Sequence, residues 1–280
     1  MVIKMPFVKM EGIGNDFIVV DGTQLPKSID WPSAAIRYCD RRYGIGADGI
    51  ILVLPAQGPA ELEMRIFNSD GSEPQMCGNG IRCLAKFAVS SGMATTHKFA
   101  VKTLGGIKTV EITPAQSVIV DMGIPELDPA KIPVDLGGNG PCLNLPIEVA
   151  GIQYNFTAVS MGNPHAVVFL SDIQTLELPK IGPLFEHHEL FPERVNTEFV
   201  VVNSRNDVTM RVWERGSGET LACGTGACAI VVATVLNGLT DRRVRVHLPG
   251  GDLEIEWNEA DGHVWMTGPA TTVFKGELEL

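Results

Sequence analysis

Along this chain the apolar positions gather into short strand-like runs, and only two stretches combine the length and stop signals of central helices. The first is Gly78 to Ser91, closed by Gly92, and the second is Gly224 to Leu236, closed by Asn237-Gly238. The same succession precedes each: a β-type run (Met64 to Phe67, Met210 to Trp213), a polar loop, a cysteine and a glycine-rich helix entrance. The two copies stand at a constant offset of 146 residues, which puts Cys77 on Cys223, Glu73 on Glu219 and Gly80 on Gly226.

The remaining runs extend the repeat. Pro6 to Met10 and Phe17 to Asp21 are expected to form a hairpin around Glu11 to Asn15, where glycines permit a sharp turn and Asn15 tolerates left-handed backbone. A helix is expected over Pro32 to Tyr43, ended by Gly44, followed by strands over Ile50 to Leu54 and Glu61 to Phe67. After the first central helix come strands over His97 to Thr103, Ile107 to Ile112 and Val118 to Asp121. After the second come Arg243 to Leu248, Leu253 to Trp257 and His263 to Met266. Gly14-Asn15 before a β-run is echoed by Gly162-Asn163 before Ala166 to Leu170, and Leu176 to Glu186 reads as a surface helix. Many short strands around one apolar helix per half imply an α+β fold. Its two pseudo-symmetric domains are each a curled, mostly antiparallel sheet around a central helix. The halves are expected at residues 1–122 and 123–268, joined through the Pro-rich stretch Gly123 to Pro133, with 269–280 a candidate to return to the first half.

Charge and cysteine usage narrow the functional classes. Acidic residues outnumber basic ones 33 to 22, for a formal charge of −11 over 280 residues, and no Lys/Arg block is dense enough to grip phosphates, which argues against nucleic acid. The longest apolar runs are too short to span a bilayer, and the first residues lack a secretory pattern, so a cytoplasmic protein that does not enter a membrane is expected. The six cysteines are then expected as thiols, and their spacings are not those of zinc knuckles. Gly44 to Gly49 spells Gly-x-Gly-x-x-Gly, but the strand-before, helix-after context of a dinucleotide site is reversed. The default for Cys39, Cys83, Cys142 and Cys228 is an inert apolar side chain.

Cys77 and Cys223 stand apart because each sits at a helix entrance, where free N–H groups and the positive dipole end favour thiolate and can hold a carboxylate. Inverting a carbon stereocentre requires one group to take a proton from one face and another to deliver a proton to the opposite face. A duplicated thiol suits that task.

The motifs that carry a family resemblance are Gly-Ile-Gly-Asn-Asp-Phe at 12–17, Phe-Asn-Ser-Asp-Gly-Ser at 67–72, Cys-Gly-Asn-Gly-Ile-Arg-Cys at 77–83, Met-Gly-Asn-Pro-His at 161–165, Pro-Glu-Arg-Val-Asn at 192–196 and Glu-Arg-Gly-Ser-Gly-Glu-Thr-Leu-Ala-Cys-Gly-Thr-Gly at 214–226. Over nearly its whole length the chain resembles the diaminopimelate epimerases, cofactor-independent enzymes that interconvert LL- and meso-diaminopimelate in lysine and peptidoglycan-precursor biosynthesis. The resemblance implies that Cys77 and Cys223 are the acid/base pair. It implies that Gly78, Asn79, Gly224 and Thr225 line the entrances that hold the reacting carboxylate and amine. Asn15, Asn68, Asn163, Asn196, Glu214 and Arg215 would contact substrate, the guanidinium suiting the distal carboxylate, while His165 and Glu214 would tune the thiols. It implies a homodimer, with neither metal nor pyridoxal phosphate. Two positions depart from the pattern: Gly49 stands where some members have a substrate-contacting Gln, and Phe274 where some have a dimer-interface Tyr. The rivals are proline or hydroxyproline racemases, whose pocket would be smaller and more apolar, and a binding protein for acidic amino acids without turnover.

Overall fold

The computed structural model describes residues 4–135 and 140–279. The first part of the chain runs β1 (Lys4–Gly12), β2 (Asn15–Asp21), α1 (Trp31–Tyr38), β3 (Gly49–Pro55), β4 (Leu62–Asn68), α2 (Gly78–Ser90), β5 (Lys98–Thr103), β6 (Gly106–Ile112) and β7 (Val118–Gly123). There follow β8 (Leu145–Val149), β9 (Ile152–Ser160), β10 (Pro164–Phe169), α3 (Leu178–Glu186), β11 (Asn196–Ser204), β12 (Asp207–Glu214), β13 (Gly218–Thr220) and α4 (Gly224–Leu236). The chain ends with β14 (Arg243–Leu248), β15 (Gly251–Trp257), β16 (Val264–Gly268) and β17 (Thr271–Glu279). It divides into two compact units, one running to Asp121 and taking in Thr267 onward, the other Met122–Met266.

In the first unit the strand order is β17-β1-β2-β3-β4-β5-β6-β7. Neighbours are antiparallel except β2–β3 and β4–β5, which are parallel. A parallel step needs a crossover, and α1 and α2 supply these two. The second unit repeats the plan. The order β8-β9-β10-β11-β12-β14-β15 is antiparallel except at β10–β11 and β12–β14, spanned by α3 and α4. The expected α+β class and mostly antiparallel sheets are therefore what the chain forms.

Each central helix is wrapped by its own sheet: α2 lies against β1, β2, β3, β4 and β6, and α4 against β9, β10, β11, β14 and β15. Alternation along the strands gives each sheet two apolar faces. Ile18, Val20, Ile50, Leu52 and Phe67 pack with Trp31, Ala35 and Tyr38 of α1, while Ile51 and Ile66 turn the other way, toward Gly80 of α2. In the second unit Phe156, Phe185, Phe191 and Phe199 build the corresponding outer core.

Three sequence expectations change. The α1 helix stops at Tyr38 instead of Tyr43, because the Asp40 carboxylate takes the N–H groups of Arg42 and Tyr43 and the chain doubles back. Ile45 and Gly46 donate to Tyr38 O, and Ala47 to Cys39 O, satisfying the helix's last carbonyls. In the β1–β2 hairpin the left-handed residues are Ile13 (φ 51°) and Gly14 (φ 84°), so Asn15 is released to begin β2. Finally, α3 begins at Leu178 instead of Leu176, and as a surface helix it buries one face, Leu178, Gly182, Phe185 and Glu186, while Pro179, Lys180 and Leu184 stay exposed. Its Gly182 lies so close to Trp213 that a Cβ would meet the indole at 2.3 Å.

Candidate active site

Each unit carries one half of the repeated chemistry. In both, the loop ahead of the cysteine is tied to its strand by the same ion pair: Arg65 Nε to Glu73 Oε1 at 2.8 Å, and Arg211 Nε to Glu219 Oε1 at 2.9 Å. That tether delivers each cysteine to the N-cap of the central helix in extended backbone, φ −135° for Cys77 and −123° for Cys223. Each Sγ then accepts the N–H of the residue three further on, Gly80 in one unit and Gly226 in the other, at 3.4 Å in both.

In the first unit Cys77 is half-buried and its thiol donates to Asn15 Oδ1 at 3.6 Å, an oxygen that also accepts Asn79 Nδ2 at 3.3 Å. The Asn15 amide is aimed by Asp48, whose Oδ2 takes Asn15 Nδ2 at 2.6 Å and the Asp16 N–H at 3.0 Å. Asp48 is paired with Arg41, which also grips Asp16, and the buried Lys9 completes the cluster through Asp16 and Gly46 O. Asn68, at the end of β4, is bonded to Ser72 Oγ at 3.0 Å. Gly49 pairs with Asn68 across β3–β4, and a Cβ there would lie 2.6 Å from Phe67 O, so the strand pairing has no room for a side chain.

In the second unit Cys223 is buried, with Thr225 Oγ1 at 3.6 Å. Asn163 Nδ2 donates to Thr225 Oγ1 at 3.3 Å, which leaves Asn163 Oδ1 to accept from His165 Nε2 at 3.0 Å. His165 Nδ1 meets Glu198 Oε1 at 2.7 Å, and both side chains are wholly buried. Glu214 accepts the hydroxyl of Thr220 and the thiol of Cys223. Asn196 donates to Pro164 O at 2.8 Å and accepts the Arg215 N–H at 2.9 Å, so it places the Arg215 backbone as well as offering its second amide proton. The turn beyond is held by the buried Glu186, which takes Trp213 Nε1 at 2.8 Å and the Gly216 N–H at 2.9 Å. Arg215 itself donates Nη1 to Glu193 O.

The electrostatics of the second unit run against the expectation that a helix entrance lowers a thiol's pKa. Burial, then the carboxylates of Glu214 and Glu198, push Cys223 well above its ordinary value, and the Thr225 contact and Gly226 N–H do not offset them. Burial likewise raises Glu214, with the bonds from Thr220 and Cys223 pulling the other way. Burial also raises Cys39 and Cys83, each to about 12, and Cys142 to about 11, in line with inert apolar thiols.

The first unit thus gathers Asn15, Cys77, Gly78 and Asn79, and the second gathers Asn163, His165, Asn196, Glu214, Arg215, Cys223, Gly224 and Thr225. Phe274 belongs to neither group. It lies half-exposed on β17, edge-on to Phe7 at 5.9 Å. Sequence reasoning missed Asp48, Glu186 and Glu198. Only Glu198 left a legible trace, as a single acid inside the apolar run Thr197 to Val202. Among the described residues no group of three His, Cys, Asp or Glu side chains is placed to hold a metal, and no helix is long and apolar enough to cross a membrane.

Comparison with known proteins agrees with this architecture. Residues 7–127 and 157–273 match the diaminopimelate epimerase family profile. Diaminopimelate epimerase 1 of Nostoc sp. is 52% identical over 275 residues, covering 97% of this chain and 99% of that protein. The diaminopimelate epimerase of Desulfitobacterium hafniense is 52% identical over 280 residues, covering 98% of each chain. Among solved structures, a hydroxyproline epimerase from Agrobacterium vitis superimposes with a TM-score of 0.70 at 16% identity, covering 99% of this chain and 93% of that one, a likeness of fold alone.

Proposed function

The chain belongs to the diaminopimelate epimerase family, and from that premise we propose that it interconverts LL-2,6-diaminopimelate and meso-diaminopimelate without a cofactor, serving lysine and peptidoglycan-precursor biosynthesis. Cys77 and Cys223 are the two acid/base groups. One observation carries this reading: the two thiols occupy the same N-cap position in duplicated units, each facing an asparagine-bearing helix entrance.

The chemistry follows from those placements. The substrate's reacting carboxylate is held at the helix entrances formed by Gly78, Asn79, Gly224 and Thr225, where helix dipoles stabilise the negative charge that builds up when the α-proton leaves. A thiolate removes that proton from one face, the electron pair is held by the α-carbon and its carboxylate, and a neutral thiol protonates the opposite face. The new thiol and thiolate have exchanged roles, so atoms and charge balance and the reverse reaction uses the same groups. Burial and the neighbouring Glu214 and Glu198 fit Cys223 for the neutral partner at rest. Asn15, Asn68, Asn163, Asn196 and Glu214 hold the polar groups around the reacting centre, and Arg215 grips the distal carboxylate, a group that proline lacks. His165 tunes the second thiol through Asn163 and Thr225. The same reading includes a cytoplasmic homodimer that covers the exposed Val273 and Phe274 of β17.

Incubation with LL-diaminopimelate in deuterium oxide, in the presence of a metal chelator, tests the proposal. Conversion toward the meso isomer with deuterium at the inverted carbon is expected. A chain that binds the substrate but exchanges no hydrogen would be a binding protein and would refute it.

A further inference from the structure

The duplicated units agree in backbone but differ in one buried layer. In the first unit Phe17 pairs with Gly49 and Val19 with Ile51; in the second, His165 pairs with Asn196 and Val167 with Glu198. The registers therefore set Phe17 against His165 and Ile51 against Glu198. Space at the central helices gives the same correspondence independently: a Cβ on Gly80 would meet Ile51 Cδ1 at 3.0 Å, and a Cβ on Gly226 would meet Glu198 Oε1 at 2.6 Å. The fold accepts two apolar side chains at these positions in one unit. In the other it carries a wholly buried acid and a wholly buried histidine.

That substitution is costly, since a buried carboxylate must be paired and fully hydrogen-bonded to make up for its lost hydration. Glu198 meets the requirement only in part. Its Oε1 is bonded to His165, while Oε2 has no hydrogen-bond partner among the described residues. A charge held at such expense where isoleucine would serve the fold points to a task beyond packing.

The hydrogen bonds define the task. Asn163 presents its oxygen to His165 Nε2 because its nitrogen is committed to Thr225, so Nε2 carries a proton and donates. Nδ1 lies 2.7 Å from Glu198 Oε1, and among the described residues no other group holds the ring by that nitrogen. A continuous chain runs Glu198–His165–Asn163–Thr225–Cys223, ending on the sulfur. We propose that Glu198 is a positioning residue for the Cys223 half-reaction: it locks the His165 ring so that Nε2–H faces Asn163, and through Asn163 and Thr225 it sets the geometry of the second thiol alone. The first thiol is oriented by other means, the Asp48–Asn15 pair. Glu198 therefore makes the two thiols individually adjustable, which a perfectly repeated site could not be.

The inference rests on the two-thiol reading, and the experiment separates them. A β-halogenated diaminopimelate loses its α-proton and then halide, so elimination needs one base and reports each thiol by the isomer it consumes. Cys77→Ala and Cys223→Ala test the reading: each should abolish epimerisation and retain elimination from one isomer only, opposite in the two variants. Glu198→Ile and Glu198→Gln, made with both cysteines present, test the inference. Glu198→Ile installs the other unit's residue and removes the Nδ1 partner. It is expected to slow elimination from the isomer that Cys77→Ala still consumes by at least about tenfold, leaving the other isomer within about twofold. Glu198→Gln can still bond Nδ1 through its amide N–H and is expected to keep Cys223-served elimination within about threefold of the parent chain. Equal slowing of both isomers by Glu198→Ile would reveal a merely structural role. No slowing of either, or Glu198→Gln as damaging as Glu198→Ile, would equally overturn the proposal.

Discussion

Replacing Gly226 by alanine tests how tightly the buried acid is set beneath the second thiol. The added Cβ would stand 2.6 Å from Glu198 Oε1 and 3.2 Å from Cys223 Sγ, so something must move. The oxygen has nowhere to go, since it is held by His165 at 2.7 Å and the carboxylate is wholly buried. Displacing it weakens a charge-assisted hydrogen bond worth about 1.5–3 kcal/mol, against a gain of up to about 1 kcal/mol for replacing glycine within a helix. A net loss of roughly 1–2 kcal/mol is expected. Gly80 provides the internal control, because its Cβ would crowd the terminal methyl of Ile51, at 3.0 Å, which can rotate away, and would make ordinary contacts at 3.5 Å with Cys77 Cβ and Ile66 Cδ1. Gly80→Ala should therefore fall within about 1 kcal/mol of the parent chain, helix gain and crowding nearly cancelling. Urea unfolding followed by tryptophan fluorescence reads the difference, with Trp213, Trp257 and Trp265 reporting on the second unit. Repeating Gly226→Ala in a Glu198→Ala background closes a double-mutant cycle, and a coupling of about 1 kcal/mol or more is expected. Equal losses for Gly80→Ala and Gly226→Ala, or a Gly226→Ala loss unchanged when the carboxylate is gone, would show that the acid does not occupy that space.

Two further outcomes follow from the packing and charge. Gly182→Ala drives a Cβ into the Trp213 ring at 2.3 Å and should cost about 1–3 kcal/mol; a melting temperature unchanged from the parent chain would contradict the contact. Burial raises Asp16, but hydrogen bonds from Arg41 and Lys9 outweigh it and hold it down at about 2. Because that carboxyl is depressed below its ordinary 3.8, its contribution of roughly 1–2 kcal/mol after screening is present above that value and lost as pH falls toward about 2. The stability gap between parent and Asp16→Asn should close as acid is added below about pH 4, and parallel stability curves would rule this out.

Much of the fold was legible because the repeat constrains it twice. The α2 and α4 boundaries follow from their glycine entrances and C-terminal stops, and the β-runs around them recur at nearly one offset. What the pattern did not reveal lay where a side chain overrode a local rule. Gly44 reads as the stop of α1, yet Asp40 ends that helix earlier; Leu178, Gly182 and Phe185 do not announce that α3 is pressed against Trp213. The thiols and the asparagines beside them were readable as a motif. Asp48 and Glu186 were not, since each acts from another element on a motif residue, Asn15 in one case and the turn carrying Arg215 in the other.

The same distinction explains why the repeat conceals its asymmetry. Motif residues sit on loops and helix entrances, where a shared backbone is enough to present a thiol and its N–H donors, so the two copies remain recognisably alike. The layer that distinguishes them sits one position inward on the strands, where β2 and β3 carry Phe17 and Ile51 and β10 and β11 carry His165 and Glu198. Strand positions alternate between faces, so a polar residue there changes what lies beneath one helix without disturbing the pairing or the opposite face. Epimerisation by thiols needs one protonated and one ionised at the start of each turnover, and two identical environments would favour neither assignment. On the proposed two-thiol mechanism, the buried carboxylates around Cys223 break that degeneracy at positions the fold leaves free to vary, while the N-cap geometry common to both thiols lets either one finish the reaction in the other's state.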